Sequence, residues 1–322
     1  MALQKKNIYK PVIKRFVLII FLFVVSNKLQ SQNNHQYLTK RPYAVVLGTT
    51  QDGGYPQAGC IKSCCSSLWK NSDHSKMVSS IGLVSDSKNS WIIDATPDFP
   101  RQYHILKDKH KTSIKGIFLT HAHMGHYSGL LHLGREVMGR KKMDVFAMSR
   151  MKSFLEENAP WNQLVELENI ILNKIFPDQE IQIDQSIIIE PILVPHRDEF
   201  SETIAFKIMG ENKSLVYIPD IDKWNIWERD ILKIIMNNDY ILIDGTFFDS
   251  NEIPNRDMTE IPHPFISESI ELFLDLNRYN RNKVFFIHLN HTNPVIKNNS
   301  AAYNKVIKNG FNVAQEGQRF NL

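Results

Sequence analysis

Short apolar runs recur along the chain, set apart by glycine, proline, asparagine and aspartate, and most are too short for helices. Tyr43–Gly48, Gly116–Leu119, Met143–Ala147, Ile187–Val194, Tyr240–Ile243 and Lys283–Ile287 read as strands, several of them apolar throughout and so buried on both faces. Ser80–Ser85 with Trp91–Asp94 predicts a hairpin around Lys88-Asn89-Ser90, and Thr203–Ile208 with Ser214–Ile218 predicts a second. Helical spacing appears over Leu130–Met138, Arg150–Asn158 and Trp224–Met236. A further helix begins near Ser267, and another runs towards Lys107 with Thr96 as its N-cap and Pro97 at its first position. Asn251–Pro264 fits neither period and reads as a lid or substrate loop.

The first residues change the picture of charge. Lys5, Lys6, Lys10, Lys14 and Arg15 precede the apolar run Phe16–Val25, a pattern that suits a signal peptide and is short for a membrane span. The expectation is a leader over residues 1–31 and one domain over 41–322, exported to the periplasm or beyond, with no stable membrane span once the leader is cleaved. The whole chain has a net charge of +4, but without the six basic residues of 1–31 it holds 32 basic against 34 acidic residues. That balance argues against a dedicated nucleic-acid binder and leaves a small-molecule substrate as the expected partner, with a homodimer left open.

Three histidines lie in the loop after the strand Gly116–Leu119, in the stretch Thr120-His121-Ala122-His123-Met124-Gly125-His126. Imidazole is a good ligand for zinc and its neighbours, and a strand-end loop can aim alternate side chains inward without breaking a ladder. His121 and His123 can share one ion. His126, beyond a glycine free to take a positive φ, can reach a second. All three cysteines fall in Cys60-Ile61-Lys62-Ser63-Cys64-Cys65, where one disulfide with a leftover thiol and a shared metal ion are equally compatible with the residues.

The histidine loop, with Gly129 downstream, resembles the HxHxDH signature of the metallo-β-lactamase superfamily, except that Gly125 stands where the signature has aspartate. The glycine-rich loop after Leu47-Gly48, Asp244-Gly245-Thr246-Phe247-Phe248 and His288-Leu289-Asn290-His291-Thr292-Asn293-Pro294 resemble one branch of it. That branch includes the pyrroloquinoline-quinone biosynthesis protein B family and related cyclic phosphodiesterases. The resemblance runs from about Tyr43 to Pro294 and implies an αββα sandwich: two mixed β-sheets face to face, helices on the outer faces, metals at one edge. It implies His196 as the third histidine of the first site. Asp220 would bridge to the second ion, with Asp222 as rival carboxylate, and His288 would complete that second site with His126. Asp94 would orient a ligand imidazole, against the plainer reading of a strand-end aspartate. His263 would be the proton donor to a leaving oxygen, against a surface histidine at a helix entry. Asp220, Asp94 and His263 thus form the expected catalytic set. Cys60, Cys64, Cys65 and His291 would hold a structural zinc, although the spacing is C-x-x-x-C-C where the branch has C-x-C-x-x-C.

The cofactor expected is Zn2+, one or two ions in the active site and one structural, with iron or manganese as alternatives. The expected activity is hydrolysis of an ester or phosphodiester by a metal-activated water. Two other readings stand beside it: metal-dependent oxidation of a precursor, as in the biosynthesis protein B branch, and a non-catalytic metal or ligand binder, which the missing aspartate permits. No Gly-x-Ser-x-Gly elbow is present, so catalysis by a serine nucleophile has little support.

Overall fold

The computed structural model describes residues 42–254 and 256–322; the expected leader lies outside them. Fourteen strands are assigned among the described residues: β1 (Tyr43–Gly48), β2 (Ser80–Val84), β3 (Asn89–Ile93), β4 (Ser113–Phe118), β5 (Met143–Ala147), β6 (Ile170–Lys174), β7 (Ile181–Asp184), β8 (Ile187–Leu193), β9 (Ile204–Met209), β10 (Ser214–Ile218), β11 (Tyr240–Asp244), β12 (Val284–Ile287), β13 (Asn312–Val313) and β14 (Arg319–Asn321). They form two seven-stranded mixed sheets, in the orders β14-β1-β2-β3-β4-β5-β6 and β13-β12-β11-β10-β9-β8-β7.

Alternation along each strand explains the layers. On β1, Ala44 and Val46 belong to the core between the sheets, while Val45 and Leu47 belong to the outer layer that runs from Phe99 and Leu106 to Met151 and Leu155. On β11, Leu242 points inward, and Ile241 and Ile243 pack outward against Ile235, Ile270 and Phe273. Apolar residues on both faces are the reason these strands read as unbroken hydrophobic runs. The result is the expected αββα sandwich. Its centre is aromatic: Phe118 of β4 stacks on Phe146 at 4.3 Å and meets Phe206 of β9 edge-on at 5.6 Å, joining the sheets. Beside it the Tyr217 and Ser79 hydroxyls share a buried hydrogen bond of 2.9 Å.

Several helices depart from the sequence pattern. The Thr96–Lys107 helix starts at Phe99, because the Thr96 hydroxyl accepts from the Asp98 N–H and holds a turn first; it then widens to a π-turn over Ile105–Lys109. Leu130–Met138 is a 3-10 turn over Ser128–Leu133 followed by irregular chain. Trp224–Met236 is divided into a 3-10 turn at Trp224–Ile226 and a helix over Ile231–Asn237, since the Asp230 carboxylate caps the Leu232 and Lys233 N–H groups. The described residues of 251–264 contain only a 3-10 turn at Met258–Glu260. No helix among the described residues is long and apolar enough to cross a membrane.

Phe206 is fully buried at the junction of the sheets. Truncation there leaves a cavity against the Phe118 ring, so Phe206→Ala should lower unfolding free energy by about 3–5 kcal/mol in urea titrations. A loss below about 1 kcal/mol would mean the two sheets do not depend on this contact.

Candidate metal centre

One edge of the sandwich collects the strand ends. β3 delivers Asp94, β4 leads to His121, His123 and His126, β8 to His196, β10 to Asp220, β11 ends in Asp244, and β12 delivers His288. Asp94 and His288 both sit at positive φ, +69° and +62°, a conformation unfavourable for residues with a Cβ and one that turns the chain sharply at a strand end.

Two clusters of ligand atoms meet at Asp220, His121, His123 and His196 on one side and His126, His288 and Asp52 on the other. Asp220 Oδ1 is 3.4 Å from His196 Nε2; Oδ2 is 3.4 Å from the Nε2 atoms of His121 and His126 and 3.5 Å from that of His288. His121 Nε2 and His123 Nδ1 are 2.8 Å apart. Donors at 2.0–2.1 Å around a tetrahedral ion are about 3.3 Å from one another, so most of these spacings fit such a site.

Hydrogen bonds behind the ring fix which imidazole nitrogen faces inward. His126 Nδ1 donates to Asp94 Oδ2 at 2.7 Å, leaving Nε2 as a lone pair. Thr246 donates its hydroxyl to Asp244 Oδ1 at 2.7 Å and so accepts from His288 Nδ1 at 3.0 Å, which again leaves Nε2 bare. Thr120 does the same between Asp94 and His121, and Glu199 takes the outer nitrogen of His123 at 3.3 Å. His126 Nε2, His288 Nε2, both His196 nitrogens, Asp220 Oδ1 and Asp52 Oδ1 are buried with no hydrogen-bond partner. A buried pocket walled by acceptors requires a cation.

Electrostatics agree. Burial and the neighbouring His126 hold the His121 imidazole well below its ordinary range, and burial lowers His123 and His196, so these three keep their lone pairs. Burial alone would raise the Asp220 carboxyl, but the imidazoles around it, His288 first, outweigh it and hold it well below its ordinary range. His126 moves the other way: Asp94, Asp220 and Asp52 overcome its burial and raise it, because in the absence of another cation a proton answers the same negative field.

His263 lies beside this centre with Nδ1 2.7 Å from Asp244 Oδ2 and 3.3 Å from Asp220 Oδ1. Burial would depress its imidazole, yet Asp244, Asp220 and Asp52 together push it up to about 9. It lines a cavity of about 300 Å³ with Arg197, Arg256, Gln51, Phe247 and Asn290. Asp222 is not drawn in; its carboxylate accepts from the Lys223 N–H.

The cysteines form a separate cluster with His291. Cys60 and Cys64 Sγ are 3.6 Å apart, and His291 Nδ1 is 3.6 Å from Cys64 Sγ and 3.5 Å from Cys65 Sγ. All three thiols are free, and at zinc–sulfur distances of 2.3 Å tetrahedral partners stand about 3.6–3.8 Å apart. Burial and the adjacent Cys60 and Cys64 push the Cys65 thiol up to about 12, so three thiolates need a cation among them.

Two features escaped the sequence reading. Asp52 reaches the second cluster from the loop after β1, where a carboxylate between Gln51 and Gly53-Gly54 has the look of an ordinary turn residue. Gly125 is helical, not at positive φ; it belongs to the turn Met124–Tyr127 that swings His126 inward.

A double β-sandwich with outer helices and histidine-carboxylate clusters at one edge defines a metallo-β-lactamase-fold, metal-binding protein. Residues 90–289 match the family model described as "Beta-lactamase superfamily domain", and the chain belongs to that superfamily. It is similar to Coenzyme PQQ synthesis protein B of Acinetobacter baumannii (strain ACICU), 25% identical over 306 residues that span 86% of this chain and 99% of that one. The same protein of Methylorubrum extorquens (strain PA1) is 23% identical over 87% of this chain and all of its own length. Among solved structures, Zn(2+)-bound PqqB from Methylobacterium extorquens superposes with a TM-score of 0.73 at 22% identity, covering 87% of this chain and 100% of that one. A diphosphatase of the PhnP family gives 0.62 at 19% identity, covering 88% and 97%. A zinc-bound neighbour and the clusters described here together support a metal in this chain.

If the cysteine cluster holds an ion of its own, Cys65→Ser should lower zinc by about one equivalent per chain, measured by mass spectrometry after dialysis. Unchanged metal content in a folded variant would leave the thiols without a ligand role.

Proposed function

We propose that this chain is a zinc-dependent hydrolase acting on a phosphodiester or a related anionic ester. The observation that carries the reading is the cavity where Arg197, Arg256 and a doubly held histidine, His263, meet the edge of the acceptor-lined centre. Two arginines supply forked donors matched to phosphoryl or carboxylate oxygens.

In this reading His121, His123, His196 and Asp220 hold one ion, and His126, His288 and Asp220 contribute to a second. Bound divalent ions would supply a water whose pKa is brought near neutrality and would polarise the bond under attack. The chain's own residues do the rest. Asp94 and Thr120 keep His126 and His121 in the tautomers that present Nε2. Asp244, itself held by the Thr246 and Ile221 N–H groups, engages His263 Nδ1 and leaves Nε2 free of these carboxylates. A protonated His263 then donates to the departing oxygen.

A second reading rests on the alignment with Coenzyme PQQ synthesis protein B: participation in making that coenzyme, through the metal-dependent oxidation of a precursor that the sequence resemblance implies. We favour hydrolysis because the three-histidine set with a shared aspartate suits Lewis-acid activation of water. Residues 1–31 are proposed to export the remaining domain, on the strength of their basic start and apolar run.

With zinc present, the full chain should cleave bis(p-nitrophenyl) phosphate, and His196→Ala should bring the rate to background. No cleavage of this or any carboxylic ester by the metal-loaded protein would favour the binder. Oxygen uptake by an iron-loaded protein without ester cleavage would favour the second reading.

His263 acts only when protonated, so the rate should fall as pH rises through its pKa. Cations beside Asp220 oppose the carboxylates that raise it, which puts the alkaline limb between the ordinary 6.5 and about 9. His263→Ala should lower kcat by about 10²–10⁴-fold and abolish that limb. A variant that keeps the limb would assign it to another group.

A further inference from the structure

The second cluster raises a question of supply. The motif loop offers it only His126, because position 125 is glycine; with Asp220 and His288 that makes three side chains. Asp52 comes from a different part of the fold and arrives at the place the missing side chain would take. A Cβ built on Gly125 would lie 2.1 Å from Asp52 Oδ1 and 2.6 Å from Asp52 Cα. A side chain at 125 and the carboxylate of Asp52 therefore exclude each other in this arrangement.

Asp52 Oδ1 stands 3.2 Å from His126 Nε2 and 3.8 Å from His288 Nε2. With the other nitrogen of each ring already engaged by Asp94 or Thr246, these are the two nitrogens left to bind an ion. Oδ1 is buried and has no hydrogen-bond donor of its own. Two imidazole nitrogens and a carboxylate oxygen facing one another repel unless positive charge lies among them, a metal ion or the proton that His126 takes in its place.

The backbone fixes Asp52 in that position. Gln51 N donates to Leu289 O at 3.0 Å, Leu289 N donates to Thr49 O at 2.9 Å, and Gly54 N closes a turn on Gln51 O at 2.8 Å. The segment before Asp52 is thus laced to the residue directly after His288, which sets the spacing of the two side chains.

We propose that Asp52 is a ligand of the second metal ion, supplied by the β1 loop in place of the aspartate that the motif loop lacks, and that position 125 is glycine because Asp52 fills its side-chain space. The inference rests on the two-ion reading above and names the fourth ligand of its second ion: Asp52, His126, Asp220 and His288.

The test is metal content and chelator resistance of the full chain, alone and as three variants, after equilibration with zinc and dialysis. About three equivalents are expected for the unaltered chain, counting one at the cysteines. Asp52→Asn keeps the shape and removes the charge; it should lose one equivalent while the others stay. Gly125→Ala leaves Asp52 chemically intact but intrudes on it, and should lose the same equivalent. His288→Ala serves as the reference for that site. Metal-free unfolding midpoints establish that each variant folds, and should Asp52→Asn fail to fold, Gly125→Ala decides alone. The proposal is overturned if the folded Asp52 or Gly125 variant keeps its full count and its chelator resistance. Should His288→Ala lose an ion in that case, the second ion exists without Asp52 and only this inference fails. Should His288→Ala also keep its count, the second ion was never present and the two-ion reading fails with it.

Discussion

Asp220 is a carboxylate only 2% exposed, with five imidazoles, from His121, His126, His196, His263 and His288, within 3.5 Å of its oxygens. Few arrangements in a folded chain are harder to sustain. Burying an ionised carboxylate costs several kcal/mol even after relaxation, and neutral imidazoles that turn lone pairs towards it, as His121 and His196 do, add repulsion. A cation at the centre would convert that liability into an attraction. The surrounding polar shell is consistent with this, because Asp94, Thr120, Asp244 and Thr246 hold the rings so that acceptors point inward.

The two-sheet scaffold is what makes such an assembly affordable in chain entropy. Most of the candidate ligands follow strands buried on both faces where they near the edge, β8 before His196 being the half-exposed one, so their backbone positions are fixed by the core. Local strain falls at the residue just past two of those strands: Asp94 and His288 adopt positive φ, a conformation that costs on the order of 1–3 kcal/mol per residue and persists only when the surroundings over-determine it. The deep apolar core between the sheets, from Ala44 and Leu83 to Phe206 and Leu242, supplies that over-determination. Stability in the interior is thereby spent as precision at the edge.

Much of this could be read from the sequence, for identifiable reasons. Runs such as Tyr240–Ile243 announce strands buried on both faces, and the close spacing of His121, His123 and His126 after one of them is a local signal that needs no partner. His196, Asp220 and His288 carry no such signal; only the family resemblance singles them out from other strand-end residues. Asp52 was illegible for a physical reason. Its role depends on the absence of a Cβ at Gly125, a relation across two loops that are brought together by pairing of Thr49 and Gln51 with Leu289. Helix limits failed where side chains competed with the backbone, as Thr96 and Asp230 do, and the short β13 and β14 exist only because neighbouring strands offer them an edge.

The cysteine cluster takes on a different meaning once the path of the chain is followed. The segment from Thr49 to Cys65 meets the segment from His288 to His291 twice: through the Leu289 pairing at one end, and through Cys64 and Cys65 facing His291 at the other. Between those two points lie Asp52 and Gln57, and Gln51 with Gln57 forms part of the wall of the His263 cavity. A loop closed at both ends has far fewer conformations to lose than one tethered at a single end. An ion among the cysteines would therefore need no part in chemistry to matter for it. Its contribution would be the stiffness of the loop that carries a carboxylate to one side of the centre and lines the substrate's side of the other.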